Sequence, residues 1–273
     1  MEKSVQSFEA MAARMRRDMI QAAERCGGDV HWGGALSCTD ILAVLYGGIL
    51  DGGSRKETYA DRDKFLLSKG QSAIALYAAL VESGREEPSR LQEFQQNGSL
   101  WAELAILDEA HGVECSGGSL GLGLSMGAGM ALAAKRKKMS YHTYVLTGDG
   151  EMNEGAVWEA VMLAGQLGLD NLTLIVDRNQ YQSDGANEEI ISMRALEEQL
   201  KAFRWEATTV DGHNYEMLWN AFSKKSGTCP RAIIADTVKG KGISFMEGDN
   251  EWHHKILNKT LLESAKQEVG GIV

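Results

Sequence analysis

An α/β fold is predicted for this chain: a parallel sheet flanked by helices on both faces. Three observations predict it. Strand-like apolar runs alternate with helical ones, those runs read as buried, and no linker, repeat or low-complexity tract divides them. The 273 residues contain only two prolines, Pro88 and Pro230. The expectation is therefore one unit over residues 1–273 with a sizeable core.

The opening residues, MEKSVQSFEAMAARMRRDMIQAAERCGG, carry charge throughout, with apolar residues at helical spacing. They predict an amphipathic helix and not a signal peptide. KFLLSKG (64–70) reads as a short strand, followed by a helix through AIALYAALVES. Residues 117–134, GGSLGLGLSMGAGMALAA, are uncharged but rich in glycine and alanine. They predict a buried helix rather than a membrane span, with small residues that admit another backbone or a ligand. SYHTYVLTGDG (140–150) is a strand ending in a turn, NEGAVWEAVMLAGQLGL (153–169) a helix, NLTLIVDRN (171–179) a buried strand, and RAIIADTVKGKG (231–242) a further one.

Composition excludes some functions. With 28 basic and 38 acidic residues the net charge is −10, which argues against nucleic-acid binding by phosphate neutralisation. Cysteines 26, 38, 115 and 229 form no C-x-x-C pair and no zinc spacing. They read as reduced thiols of a cytoplasmic protein.

The chemistry is expected in GDGEMNEG (148–155) and DRNQ (177–180). A right-handed βαβ unit from Tyr144 to Asn179 brings both strand ends to one sheet edge, where ligands of open α/β sheets bind. Gly148 and Gly150 permit close backbone approach, and the N-terminus of the following helix favours a phosphate. Asp149, Asn179, a backbone carbonyl and phosphate oxygens make an all-oxygen set suited to Mg²⁺. GDG alone also reads as a tight turn. GSLGLG (118–123) is a partial dinucleotide fingerprint, but it lacks a preceding strand and a ribose acid.

Over these stretches the sequence resembles the transketolase family, most closely the N-terminal subunit of two-chain transketolases. GDGEMNEGAVWEAVMLAGQLGLDNLTLIVDRNQYQSDG (148–185) is similar to its thiamine-diphosphate motif. RDKFLLSKG (62–70), HGVECSGGSLGLGLSMGAGMALAAK (111–135), VDGHNYE (210–216) and TVKGKGISFMEGDNEWHHK (237–255) follow in the family's order. The resemblance implies thiamine diphosphate and Mg²⁺, with Ca²⁺ or Mn²⁺ as substitutes. It assigns the metal to Asp149, Asn179 and the Tyr181 carbonyl. The cofactor falls to Gly70, Gln71, Gly118, Leu120, Gly148, Gly150, Glu154, Glu159 and His253, and donor contact to His31 and His253. Glu154 and Glu159 would bridge two cofactor sites at a dimer interface, although both also suit a helix N-terminus without any ligand. His213 matches a motif position without a clear role. Lys239 and Lys241 read equally as phosphate-neutralising groups or as a solvated turn.

Three residues depart from the family pattern. Gln71 stands where a histidine is expected, so that position cannot carry a proton at neutral pH. Leu104 replaces a second histidine, and Leu122 replaces a glutamine. A changed set of hydroxyl-binding groups changes which substrate is accepted, which points to an unusual ketose donor. In the family, the glutamate that activates the aminopyrimidine belongs to a separate pyrimidine-binding domain. The expectation is a chain inactive alone, paired with a C-terminal transketolase subunit in an α2β2 assembly, using a ketose donor and an aldose acceptor. The alternatives are the α subunit of a thiamine-dependent 2-oxo-acid dehydrogenase, or a non-catalytic cofactor-binding subunit.

Overall fold

The computed structural model describes residues 4–50, 62–224 and 227–270, so the ends of the expected 1–273 unit lie outside it. In chain order the elements are α1 (Val5–Arg25), β1 (Asp29–Val30), α2 (Trp32–Ser37), α3 (Thr39–Val44), β2 (Lys64–Leu67), α4 (Ala73–Glu82), α5 (Gly123–Lys137), β3 (Thr143–Gly148) and α6 (Gly155–Leu167). Then come β4 (Leu172–Arg178), β5 (Tyr181–Gln182), β6 (Gly185–Ala186), α7 (Asn187–Ile190), α8 (Leu196–Ala202), β7 (Glu206–Asp211), α9 (Tyr215–Ser223), β8 (Arg231–Asp236), β9 (Lys255–Ile256) and α10 (Lys259–Gly270).

The central sheet has five parallel strands in the order β2-β3-β4-β8-β7. Strand side chains alternate between faces, and the apolar residues divide accordingly. Phe65, Leu67, Tyr144, Leu146, Ile175 and Ile233 join a core with α1, α3, α4 and α9. Leu66, Val145, Leu174, Val176, Ala232 and Ile234 join the other with α5, α6 and α8. Both faces are therefore covered, as predicted. The edge strand β7 was not anticipated. Its sequence, EATTVD, buries only Ala207 and Val210, so it lacks the continuous apolar run of an inner strand.

The opening helix forms as expected. A reciprocal cap between Ser4 and Ser7 starts it, and Phe8, Met11, Met15 and Met19 make its buried stripe. The predicted helix over 117–134 needs correction. Gly118 and Gly121 have φ of +124° and +85°, so 117–122 is an irregular turn and the helix runs Gly123–Lys137. Only one of its faces is buried, while Ser125, Met126 and Gly129 are exposed. The last predicted strand stops at Asp236, leaving 237–242 as loop. Among the described residues no helix is long and apolar enough to cross a membrane.

Candidate active site

Parallel pairing brings the expected strand ends together. Gly148 is in register with Asp177, and the Asp149 amide donates to the Asp177 carbonyl at 3.2 Å. The Asp149 carboxylate is buried and accepts from the Gly150 amide at 2.9 Å and the Gln180 amide at 2.7 Å. Asn179 is also buried. Its Oδ1 accepts from the Tyr181 amide at 3.2 Å, and its Nδ2 faces Asp177 Oδ2 at 3.3 Å.

A cavity of about 290 Å³ opens at this edge. His31, Gln71, Leu120, Gly148, Asp149, Gly150, Glu154, Asn179, Tyr181 and His253 all line it. Three predicted site residues do not. Gly70 sits behind, packed on Gly117; Gly118 lies in the exposed turn beside Leu104; Glu159 is on the exposed face of α6. A larger cleft of about 470 Å³ holds none of these residues. Leu50 and Arg62 border it, and the segment between them lies outside the described residues.

The electrostatics favour a cation beside an anion. Burial and the neighbouring Asp177 push the Asp149 carboxyl up to about 7, with Lys69 offsetting only part of the rise, so its ionised form is short of positive charge. Lys239 is buried, with Nζ 2.5 Å from Asn250 Oδ1 and 3.0 Å from His253 Nδ1. Burial and Lys69 pull it down to about 8, so it is a cation short of negative charge. Burial and Lys239 hold His253 down at about 4, a neutral imidazole. Burial and His254 lower His31 as well. Of the two lysines left open by the sequence, Lys239 is in the cavity and Lys241 pairs with Glu247 at 3.2 Å.

Sequence reasoning missed the residues that hold this edge together. Asp177, fully buried, accepts from Lys69 Nζ, Thr237 Oγ1 and, at 2.6 Å, Ser37 Oγ. Glu151 is buried and ties three segments. It accepts from Ser68 Oγ, from the Gly121 amide at 2.8 Å and from the Gly148 amide at 3.2 Å. The acids themselves were visible in GDGEMNEG and DRNQ. Their partners arrive from up to 140 residues away, from α2 and the end of β2.

The residues present fit a divalent cation together with a diphosphate. A Cβ on Gly150 would lie 2.6 Å from Gln182 Cβ and fill the cradle beside Asp149. Asn153 Oδ1 and Gln182 Nε2, both on residues lining the cavity, are buried without hydrogen-bond partners. Hard oxygen donors beside two lysines suit a diphosphate held through a divalent cation.

Comparison with known proteins agrees with this geometry. Residues 7–271 match the family described as transketolase, thiamine diphosphate binding domain. The chain is 38% identical over 270 residues to an apulose-4-phosphate transketolase subunit of Phocaeicola vulgatus, covering 97% of this chain and 94% of that one. It is 35% identical over 241 residues to the 6-deoxy-6-sulfo-D-fructose transketolase subunit SqwG of Clostridium sp., covering 88% of each. The crystal structure of Campylobacter jejuni transketolase superposes with a TM-score of 0.88 at 28% identity, over 98% of this chain but 43% of that one. The chain thus spans less than half of a single-chain transketolase and nearly the whole of the relatives named as subunits. It belongs to the transketolase family, as a thiamine-diphosphate-binding chain of the kind that forms the N-terminal subunit of a split enzyme.

Proposed function

We propose that this chain is the diphosphate-binding half of a two-chain transketolase, passing a two-carbon ketol unit from a ketose to an aldose. The observation that carries this is the meeting of Asp149, Asn179 and Tyr181 with Lys239 in one cavity at the sheet edge. Asp149, the Asn179 side chain and the Tyr181 carbonyl would hold Mg²⁺, for which Ca²⁺ or Mn²⁺ can substitute. The Gly150 amide, which here donates to Asp149, and the first turn of α6 would face the diphosphate, and Lys239 would supply positive charge. Leu120, in the cavity wall, would lie towards the organic rings, with Gly70 and Gly118 shaping the turn behind it. Bound thiamine diphosphate supplies the carbanion-stabilising chemistry that allows a ketose carbon–carbon bond to break. His31 and His253, neutral before substrate binds, accept and return protons at the donor hydroxyls.

The second half of the site comes from a C-terminal transketolase subunit that carries the pyrimidine-activating glutamate, in an α2β2 assembly. Met126 on α5 and Met162, Leu163 and Leu167 on α6 are exposed apolar residues on adjacent helices. Together with Glu154 and Glu159 they form the face for that assembly. The whole chain, 1–273, acts as one cofactor-binding unit. Its four free cysteines suit a cytoplasmic protein.

The donor is proposed to be a modified ketose. Gln71 lines the cavity where a proton-carrying histidine is expected, and Leu104 packs near Gly118. The names of the two relatives described as subunits, one acting on apulose 4-phosphate and one on 6-deoxy-6-sulfo-D-fructose, favour the same reading. The test is aldehyde release from a panel of ketose phosphates and modified ketoses, with thiamine diphosphate and Mg²⁺. It is run on the chain alone and after co-purification with the product of the neighbouring gene. Turnover only with both chains, and best on a modified ketose, supports the proposal. Xylulose 5-phosphate as the best donor by a wide margin overturns the specialised donor. No turnover of any ketose, with activity on a 2-oxo acid instead, supports the dehydrogenase reading.

A further inference from the structure

At the lip of the cavity the fold gathers a second set of metal-ligating side chains, different in chemistry from the first. The antiparallel pair β1–β9 sets Asp29 opposite Ile256 and Val30 opposite Lys255. One step further along this register places His31 beside His254, and their rings lie 4.2 Å apart. The Gln95 side chain donates to the Asp29 carbonyl at 2.9 Å, which ties the loop leading to Glu103 against the same ribbon. The outcome is a convergence on one point. Glu103 Oε1 lies 2.7 Å from His31 Nδ1 and 3.1 Å from His254 Nε2, and Asp29 Oδ1 is a further 3.1 Å from His254 Nε2.

Two of these atoms lack the partners that such closeness should give. His31 Nδ1 and Glu103 Oε1 are both buried, yet neither completes a hydrogen bond. Their contact is close but outside good hydrogen-bonding geometry, so two potential ligand atoms crowd one small space. Buried polar atoms left without a partner are costly and call for an explanation. A cation shared between them supplies one.

We propose that His31, Glu103 and His254, with Asp29 at the side, form a binding site for a borderline divalent cation of the Zn²⁺ or Co²⁺ class. The ligand atoms of the three residues lie within 4.8 Å of one another. Zinc bonds to imidazole and carboxylate are about 2.0–2.2 Å, so shifts of roughly half an ångström bring all three into reach. Two imidazoles and one carboxylate select such a cation over Mg²⁺, which prefers oxygen. Three protein ligands on a partly exposed lip leave a coordination place open to solvent. The consequence for catalysis rests on the function proposed above. A cation held by His31 withdraws that imidazole from the donor, so it competes with the ketose.

Co²⁺ titration of the tag-free full-length chain in excess Mg²⁺, followed by visible absorption, tests the site without any turnover. One equivalent should bind. His254→Ala and Glu103→Gln should each weaken it at least tenfold, whereas Asp149→Asn should leave it unchanged. His254 is 43% exposed at its side chain, so its replacement does not threaten the fold. Binding of equal strength in both lip variants, or binding lost in Asp149→Asn, overturns the proposal. In the enzyme paired with its partner chain, Zn²⁺ should inhibit competitively with the ketose, and less so in His254→Ala. Binding without inhibition would uphold the site and overturn the role given to His31.

Discussion

His213 accepts the Val238 amide at Nε2, 2.8 Å away, and its Nδ1 faces Asp40 Oδ2 at 2.7 Å. With Nε2 accepting, the proton for the Asp40 contact sits on Nδ1. Asp40 is itself held by the two terminal guanidinium nitrogens of Arg16 at 2.9 Å and by the Tyr215 hydroxyl at 2.7 Å. His213 therefore lies outside the cavity, as a positioning residue. It anchors the loop that carries Thr237 to Asp177 and Lys239 into the site. His213→Ala leaves the Val238 N–H and the Asp40 carboxylate short of a partner, a cost of about 1–3 kcal/mol. It should raise the dissociation constant for thiamine diphosphate about tenfold or more, read by calorimetry. His213→Gln, which can both donate and accept, should recover most of that loss.

The Lys69–Asp177 pair makes a separate prediction about stability. Lys69 is 4% exposed and Asp177 0%. Burial alone would lower the Lys69 ammonium, but Asp177, joined by Cys38 and Asp149, outweighs it and holds the group charged. Lys69→Met leaves a buried carboxylate with neutral donors only. Breaking a buried pair in this way costs about 3–5 kcal/mol. The neutral double variant Lys69→Met/Asp177→Asn should recover at least about 2 kcal/mol of this in urea unfolding.

His142 gives the chain a pH dependence unrelated to the site. It lies beside Tyr144, with a ring nitrogen 2.8 Å from Thr173 Oγ1. Burial, with Arg231 nearby, pulls it down to about 4. Folding therefore favours the neutral ring over the proton-accepting ring of the unfolded chain. The stabilising contribution is complete above the unfolded value of about 6.5 and declines as pH falls towards 4. Its full size is about 3 kcal/mol. His142→Gln should flatten the stability profile between pH 6.5 and 4, measured by urea midpoints. An unchanged slope would show that His142 is not its source.

The exposed face of α6 should be an assembly surface. Leu163 is 52% exposed in this chain. Leu163→Lys should leave the melting temperature of the isolated chain within a few degrees, since surface changes shift stability by about 0.5 kcal/mol or less. In light scattering it should reduce the co-purified assembly to smaller species.

Much of this was legible in the sequence, for identifiable reasons. Inner strands such as NLTLIVDRN announce themselves because burial on both faces demands unbroken apolar runs. Asp149 and Asn179 could be placed together because a βαβ unit leaves their strand ends no other edge. Edge strand β7 escaped because Thr208 and Thr209 break its apolar pattern. Glu151 sits in plain view two residues after Asp149, but its role depends on Ser68 and Gly121, which only the folded chain brings to it. The same holds for Glu103 and His254, joined through the two-residue ribbon of β1 and β9. Short pairings of that kind leave almost no periodicity to read.

The most direct test of the metal and cofactor assignment is Mg²⁺-dependent binding of thiamine diphosphate to the co-purified pair, comparing wild type with Asp149→Asn. The substitution removes a carboxylate crowded by Asp177 and keeps its shape. The variant should fold at least as stably as wild type without cofactor. It should also lose Mg²⁺-dependent binding by a hundredfold or more. Retention of tight, Mg²⁺-dependent binding in Asp149→Asn would contradict the account, because the metal would then be held elsewhere.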